Sequence, residues 1–387
     1  MTKEESDMTL ATLIGRALIG IPVLALAAPV TALADDTGGY AWTGSRTTKE
    51  RNARGDGIEI YRVGTSGWTH AGSVAGLVNP SFLITNRAAD LVFTVHGDGE
   101  KVSSFRVVPE TGALDVISTV NTGGANPVHL ALSGDERMLL VANYKTGTVA
   151  SVPVAEDGML GALVSRLDLP GDPGPHRKEQ PSSHPHQVLP DGSGHRFIVT
   201  DKGLDRVFVL DLAEDGTVSI VSETPTREGA GPRHGVMGAK GDTVYVINEL
   251  DSTVTGYRYD GSALTPFQVL STLPDDYTGN SRAAAIALGG AGTYLFGTNR
   301  GHDSLVRFAI DADTGRLSDP IWTPTGGERP RFMTLTPEGT EVIVANELTD
   351  TIYGFRFDPE TGALGGGRLL ATTGSPVSVV FETMPKP

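Results

Sequence analysis

The sequence predicts an all-β fold: a seven-bladed β-propeller whose ring closes by pairing the N- and C-terminal strands. Three observations predict it. Glycine supplies 49 of 387 residues, close to twice its usual share of ~7%. A proline opening an alternating apolar run recurs at a period near 47 residues. Each recurrence is followed by the same succession of short strands and turns, and repeats of about this length with four short strands mark propeller blades.

The anchors are Pro80 (NPSFLIT), Pro127 (NPVHLAL), Pro185 (HPHQVLP), Pro232 (GPRHGVM), Pro330 (RPRFMTL) and Pro376 (SPVSVVF). Their successive gaps are 47, 58, 47, 98 and 46, and the gap of 98 contains one further unit, SRAAAIAL from Ser281. After each anchor strand comes a turn, then a strand ending near Asn (LLVANY, VYVINE, YLFGTNR, VIVANE). An alternating strand follows (TVASVPV, RVFVLDL, TVTGYRY, SLVRFAI, TIYGFRF), and then a turn of which PETGAL at Pro109 and Pro359 is the type. The last unit has one C-terminal strand only. YAWTGS (Tyr40–Ser45), GIEIYRV (Gly57–Val63) and WTHAGSVAG supply its other three, which removes free sheet edges. The glycines then fall at about four turns per blade, where positive φ is wanted.

Composition excludes other classes. With 39% hydrophobic residues the chain can bury a core, and with no cysteine it has neither disulfides nor a Cys-ligated zinc site. Its 46 acids against 31 bases, net −15, exclude a nucleic-acid partner, which needs a Lys/Arg surplus. Residues 1–34 read differently from the rest. Ala17–Val30 is uncharged and apolar, Arg16 precedes it, and Ala32-Leu33-Ala34 is a small-x-small cleavage site. That layout predicts a secretory signal peptide, with Met8 as a candidate start in place of Met1, followed by a single propeller domain over 35–387. A buried N-terminal helix is the alternative. The run falls short of the ~20 residues of a membrane span, so the expected product is secreted or periplasmic, monomeric and without a stable membrane anchor.

In a propeller the innermost strand of each blade lines the central channel. The polar residues at the anchors and strand ends are therefore the candidate site: Asn79, Asn126, His129, His184, His186, Arg233, His234, Arg282 and Arg331, with Asn143, Asn248, Glu249, Asn299, Arg300, Asn346 and Glu347. Each has a structural alternative. His184-Pro185-His186 has a spacing that could hold a metal or serve a loop. Pro232-Arg233-His234 could be a turn. The Asn-Glu pairs could close blades, since asparagine tolerates left-handed φ, and for Glu347 that reading is preferred.

The runs HPHQV, VTDKGLDRVFVLDL, GPRH, VYVINELDSTVTGY, TNRGHDSLVRF and ERPRFMTLTPEGTEVIVANELTDTIYGF resemble the seven-bladed propeller lactonases, which include propeller-type 6-phosphogluconolactonases and carboxy-muconate lactonizing enzymes. The resemblance covers residues 40 to 382, and the loop from Gly174 to His186, with Arg177 and Gln180, shares it. It implies a site free of metal and cofactor: a histidine at His184 or His186, Glu249, Arg233 and Arg300 as catalytic groups. Asn79, Asn126, His129, Gln180, His234, Asn299 and Arg331 are expected to bind substrate. The implied activity is hydrolysis, or formation, of a small anionic lactone or sugar acid. Where many family members carry an acid at the sixth repeat's anchor, this chain has Ala283-Ala284-Ala285. That departure supplies the alternative of a non-catalytic secreted propeller that binds a ligand or protein. A metal-dependent hydrolase built on the HPH pair is the third reading.

Overall fold

The computed structural model describes residues 39–382, so the predicted signal peptide lies outside the described residues. Seven four-stranded antiparallel sheets stand in a ring, six of them built of strands that follow one another in the chain. Six begin at the predicted anchors, with inner strands Pro80–Thr85, Pro127–Leu132, Pro185–Pro190, Pro232–Met237, Arg282–Gly289 and Pro330–Leu335. The seventh is the composite one. Its inner strand Pro376–Phe381 pairs with Tyr40–Ser45, and Gly57–Val63 and Trp68–Ala75 complete it. The register is Ala41↔Phe381 through Gly44↔Ser378.

The blades stick together through apolar faces that the period-2 alternation places between neighbouring sheets. Phe93, Val95 and Val102 of the Pro80 blade pack on Leu130, Leu139 and Val141 of the next. Phe296 and Leu305 of the Arg282 blade pack likewise on Val342, Val344 and Phe355. Each such Phe, Leu or Val contributes about 1.5–3 kcal/mol when fully buried.

Polar clasps fix the blade order. Trp42 Nε1 donates to Gly112 O at 2.8 Å, Tyr245 Oη to Gly315 O at 2.6 Å and Tyr294 Oη to Glu360 O at 3.3 Å. The PETGAL-type turn of one blade is thus the acceptor for an aromatic of the blade before it. Among the described residues no helix is long and apolar enough to cross a membrane.

One local irregularity recurs in every blade and positions the site. The register slips immediately after each anchor: Pro80 pairs with His96 but Phe82 with Val95, and Pro232 pairs with Asn248 but His234 with Ile247. The residue between is a β-bulge, a device that re-aims one side chain. The bulged residues are Ser81, Val128, His186, Arg233, Arg331 and Val377, and in the Arg282 blade the slip spans Ala284 and Ala285.

Candidate active site

Two sets of residues, each drawn from all seven blades, follow from that register. The bulged residues converge on the axis, where Ser81, Val128, His186, Arg233, Arg331 and Val377 line a cavity of about 20 Å³. The residues that follow each anchor's pairing partner form the second set. Going round the ring they are Gly97, Tyr144, Lys202, Glu249, Arg300, Glu347 and Arg46. From Lys202 to Arg46 the charge alternates in sign.

Glu249 is the hub. Its side chain is 6% exposed and meets Lys202 Nζ at 2.9 Å, Arg300 Nη2 at 3.0 Å and Arg233 Nε at 3.1 Å, with Arg282 Nη1 at 3.6 Å. Burial opposes its ionisation, but Arg300, Lys202 and Arg233 outweigh burial and hold the carboxyl well below its usual range. Lys202 is held in turn by Glu179 at 2.9 Å and Tyr144 Oη at 3.3 Å. Burial lowers its pKa, Glu249 and Tyr144 more than restore it, and the net shift is upward.

The arginines are fixed by backbone as well. Arg233 Nη1 donates to Ala284 O at 2.6 Å and Arg300 Nη2 to Ala283 O at 3.0 Å. Ala283 and Ala284 thus supply carbonyl acceptors to both guanidinium groups. A cleft of about 640 Å³ that meets the Glu249 cluster at Arg300 and Arg282 is lined by these two, His176 and Arg329, among others. Seven cations (Arg46, Lys202, Arg233, Arg282, Arg300, Arg329, Arg331) face five carboxylates (Glu179, Glu249, Asp303, Glu328, Glu347) in this region. In a chain of net charge −15, that local surplus singles out an anion-binding region.

The family model for the 7-bladed β-propeller lactonases matches residues 40–381. The chain belongs to that family. It is 32% identical over 316 residues to a 6-phosphogluconolactonase of Bacillus subtilis, covering 79% of this chain and 88% of that one. It is 29% identical to a 6-phosphogluconolactonase of Formosa agariphila over 341 residues, 84% of this chain and 94% of that protein. The solved periplasmic gluconolactonase of Pseudomonas aeruginosa superposes with a TM-score of 0.82 at 30% identity, covering 90% of this chain and all of that one. The chain therefore stands among lactone hydrolases.

The expected site residues divide sharply in where this lactonase-family fold puts them. His186, Arg233, Glu249, Arg300 and Arg331 come together. His186 is a bulged residue aimed at the axis, 5% exposed, and its Nδ1 is buried with no partner in the chain. Burial first, then Arg233, pushes its pKa well below the usual value, so the imidazole is neutral. His184 precedes the anchor. Its ring stacks on Tyr144 at 4.4 Å and its Nδ1 bonds Tyr144 O at 2.8 Å.

His234 and His129 lie in the next layer, edge to face at 5.5 Å, with His129 tilted against Phe82 at 4.0 Å. Burial lowers both, His129 to about 3, with Arg233 adding to the effect.

The amides are used elsewhere. Asn79 and Asn126 sit at left-handed φ of 38° and 55° before their prolines. Asn79 bonds Thr47 N and Gly97 O, and Asn126 accepts Asp98 N. Asn299 bonds Thr272 through both ends of its amide, at 2.7 Å each. Asn143 does the same with Thr122. Gln180 is spent on Lys202 O and His176 N. These amides hold backbone in place rather than face the cleft.

Lys202, Arg46, Tyr144 and Glu179 are site residues that motif reading passed over. Glu347, taken from sequence as a blade closer, approaches Arg329 at 3.5 Å and Arg331 at 3.9 Å. The signal for Lys202, Arg46 and Tyr144 lay in one column of the repeat, the residue past the anchor's partner. Glu179 lies in the segment 169–184, which enlarges one anchor gap from 47 to 58 residues.

Proposed function

We propose that this protein hydrolyses a small lactone bearing an anionic group, bound in the arginine-lined cleft and opened at its floor. The observation that carries the reading is the buried Glu249 carboxylate gripped by Lys202, Arg233 and Arg300, all within 3.1 Å. The printed names of the relatives, 6-phosphogluconolactonase and gluconolactonase, support an aldonic acid lactone as the substrate class.

The chemistry follows from the charges. As water adds to the lactone carbonyl, negative charge grows on its oxygen, and Arg233 and Arg300 are immobilised donors for it. A fixed donor of this kind is worth roughly 10²–10³ in rate. Both oxygens of Glu249 are engaged by Lys202, Arg233 and Arg300, so it is not the group that accepts a proton from water. Its work is to lock the guanidinium groups and to favour positive charge on His186, whose titration it influences. His186, neutral and with a free lone pair, takes the proton from water, a contribution of about 10²–10⁴. The acyl–oxygen bond of the ring then breaks and the imidazolium returns its proton to the departing alkoxide. The same groups can run the reverse, ring-forming sense.

We also read the chain as exported. The apolar run before Ala34 supports this, as does likeness to a periplasmic enzyme. N-terminal sequencing of the recovered protein tests it: a start at Asp35 is expected, and a start at Met1 or Met8 contradicts export.

Acid release measured by pH-stat, with the spontaneous rate subtracted, tests the activity. Glucono-δ-lactone and its 6-phosphate should be turned over and a plain neutral lactone such as δ-valerolactone disfavoured. Saturable binding of every lactone with no acid release would instead make the propeller a binding scaffold.

A further inference from the structure

On the ring axis, among the bulged residues, lies a second polar site that lactone hydrolysis does not use in full. The cavity of about 20 Å³ there has Arg46, Ser81, His186, Arg233, His234 and Arg331 in its wall. That volume suffices for one water-sized body. Three guanidinium groups meet at it, yet Arg46 has no carboxylate within ion-pairing distance among the described residues, while Arg233 has Glu249 and Arg331 has Glu347.

Arg46 is 5% exposed, Ser81 7% and His234 8%, and Arg46 Nη1, Ser81 Oγ and His234 Nε2 are all buried without a hydrogen-bond partner in the chain. Glu347 and Asp98 act on Arg46 only beyond ion-pairing distance, and a buried charge so weakly compensated is destabilising. The charge sequence round the ring explains why Arg46 is left over. Glu347 stands on one side of it and Gly97 on the other, and a Cβ placed on Gly97 would meet Ser81 Oγ at 2.7 Å and Arg46 Nη1 at 2.8 Å. The ring position where a sixth charged side chain could stand is therefore glycine, with Ser81 and Arg46 in the space a side chain would take.

We propose that this axial cavity is a binding site for a small monovalent inorganic anion, chloride in the first instance, held by Arg46, Ser81 and His234. These three are separate from the lining of the lactone cleft, and the cavity shares with the catalytic groups only His186 and Arg233. The anion supplies the counter-charge that Arg46 lacks and satisfies the hydroxyl and imidazole donors beside it. The apolar part of the wall, Phe82, Val128, Phe332 and Val377, suits a halide better than a strongly hydrated oxyanion.

The test is independent of turnover. The melting temperature of the full chain is followed as chloride or bromide replaces methanesulfonate at constant ionic strength, and crystals soaked in bromide are examined for anomalous scattering. A saturable rise in Tm at millimolar halide is expected, because binding to the folded state alone stabilises it by mass action. A bromide peak between Arg46 and Ser81 is expected with it. Arg46→Met should abolish the halide-dependent rise. Should that variant fail to fold, Ser81→Val, which removes a donor and fills space, should weaken the halide midpoint at least tenfold. A non-saturating response equal for all salts, or density fitting water alone, overturns the proposal. Competitive displacement of halide by gluconate overturns its separateness from the cleft.

Discussion

The Pro232 and Pro330 blades carry the same pattern, Pro-Arg at the anchor and Asn-Glu-Leu after the second strand, yet build different sites. In the first, Glu249 makes three contacts of 3.1 Å or less with Lys202, Arg233 and Arg300. In the second, Glu347 has Arg329 at 3.5 Å and Arg331 at 3.9 Å, and its Oε2 is buried without a hydrogen bond. The difference comes from the neighbours. Lys202 and Arg300 flank Glu249 in the ring, while Arg300 and Arg46 flank Glu347 and influence it only at longer range. A local motif sets where a carboxylate stands; the adjoining blades set what it can do.

The sharpest break of this comparison is at the arginines. Arg300→Ala and Arg233→Ala should each lower kcat/KM by about 10²–10³, while Arg331→Ala should lower it by about tenfold or less. Steady-state kinetics on the lactone that the wild type turns over best checks the ranking, and equal losses would erase the distinction between the blades.

Lys202 acts through Glu249, so Lys202→Met should lower kcat by roughly tenfold with a smaller change in KM. Lys202→Arg should recover part of it. A loss confined to Tm, with kinetics unchanged, would reduce Lys202 to a packing role.

Acid provides a second discriminator. His129, His186 and His234 all titrate below their ordinary value because they are buried. Unfolding therefore takes up protons as pH falls below ~6.5, so stability drops on the acid side, by about 1.4 kcal/mol per pH unit for each proton taken up. Denaturant titrations at pH 7 and pH 5 should show a drop steeper than a single histidine gives. Each of these groups contributes fully above ~6.5 and loses that contribution toward its lower folded value. Replacing His129 by Phe should flatten the slope.

The smallest effect on activity is expected at the asparagines. Asn299→Ala should cost about 1–3 kcal/mol of stability, the toll of stranding the Thr272 groups it satisfies, and leave KM unchanged. A raised KM would return Asn299 to the substrate site.

How far the sequence reached differs between these features for physical reasons. The 47-residue period, the anchors and the closing strands were legible because a propeller repeats one burial pattern and turn chemistry follows it. Glu249, Arg233 and Arg300 were legible as polar residues where apolar ones would pack. The asparagines showed the same polarity for another cause: backbone at positive φ before proline, and threonine carbonyls at blade junctions, both need an amide. Lys202 and Arg46 lie in TDKG and GSRT, ordinary turn sequences, and gain meaning only when all seven blades are aligned by register. The bulge that aims His186 inward, and leaves His184 against Tyr144, is a feature of pairing that composition does not carry.

In the proposed function the Glu249 cluster, and not its twin in the Pro330 blade, opens the lactone ring. Initial rates of acid release by Glu249→Gln and Glu347→Gln, compared with wild type at equal folded fraction by circular dichroism, test it directly. A fall of at least about 10² is expected for Glu249→Gln and of less than about tenfold for Glu347→Gln. A Glu249→Gln protein as active as wild type, or a larger loss at Glu347, would contradict it.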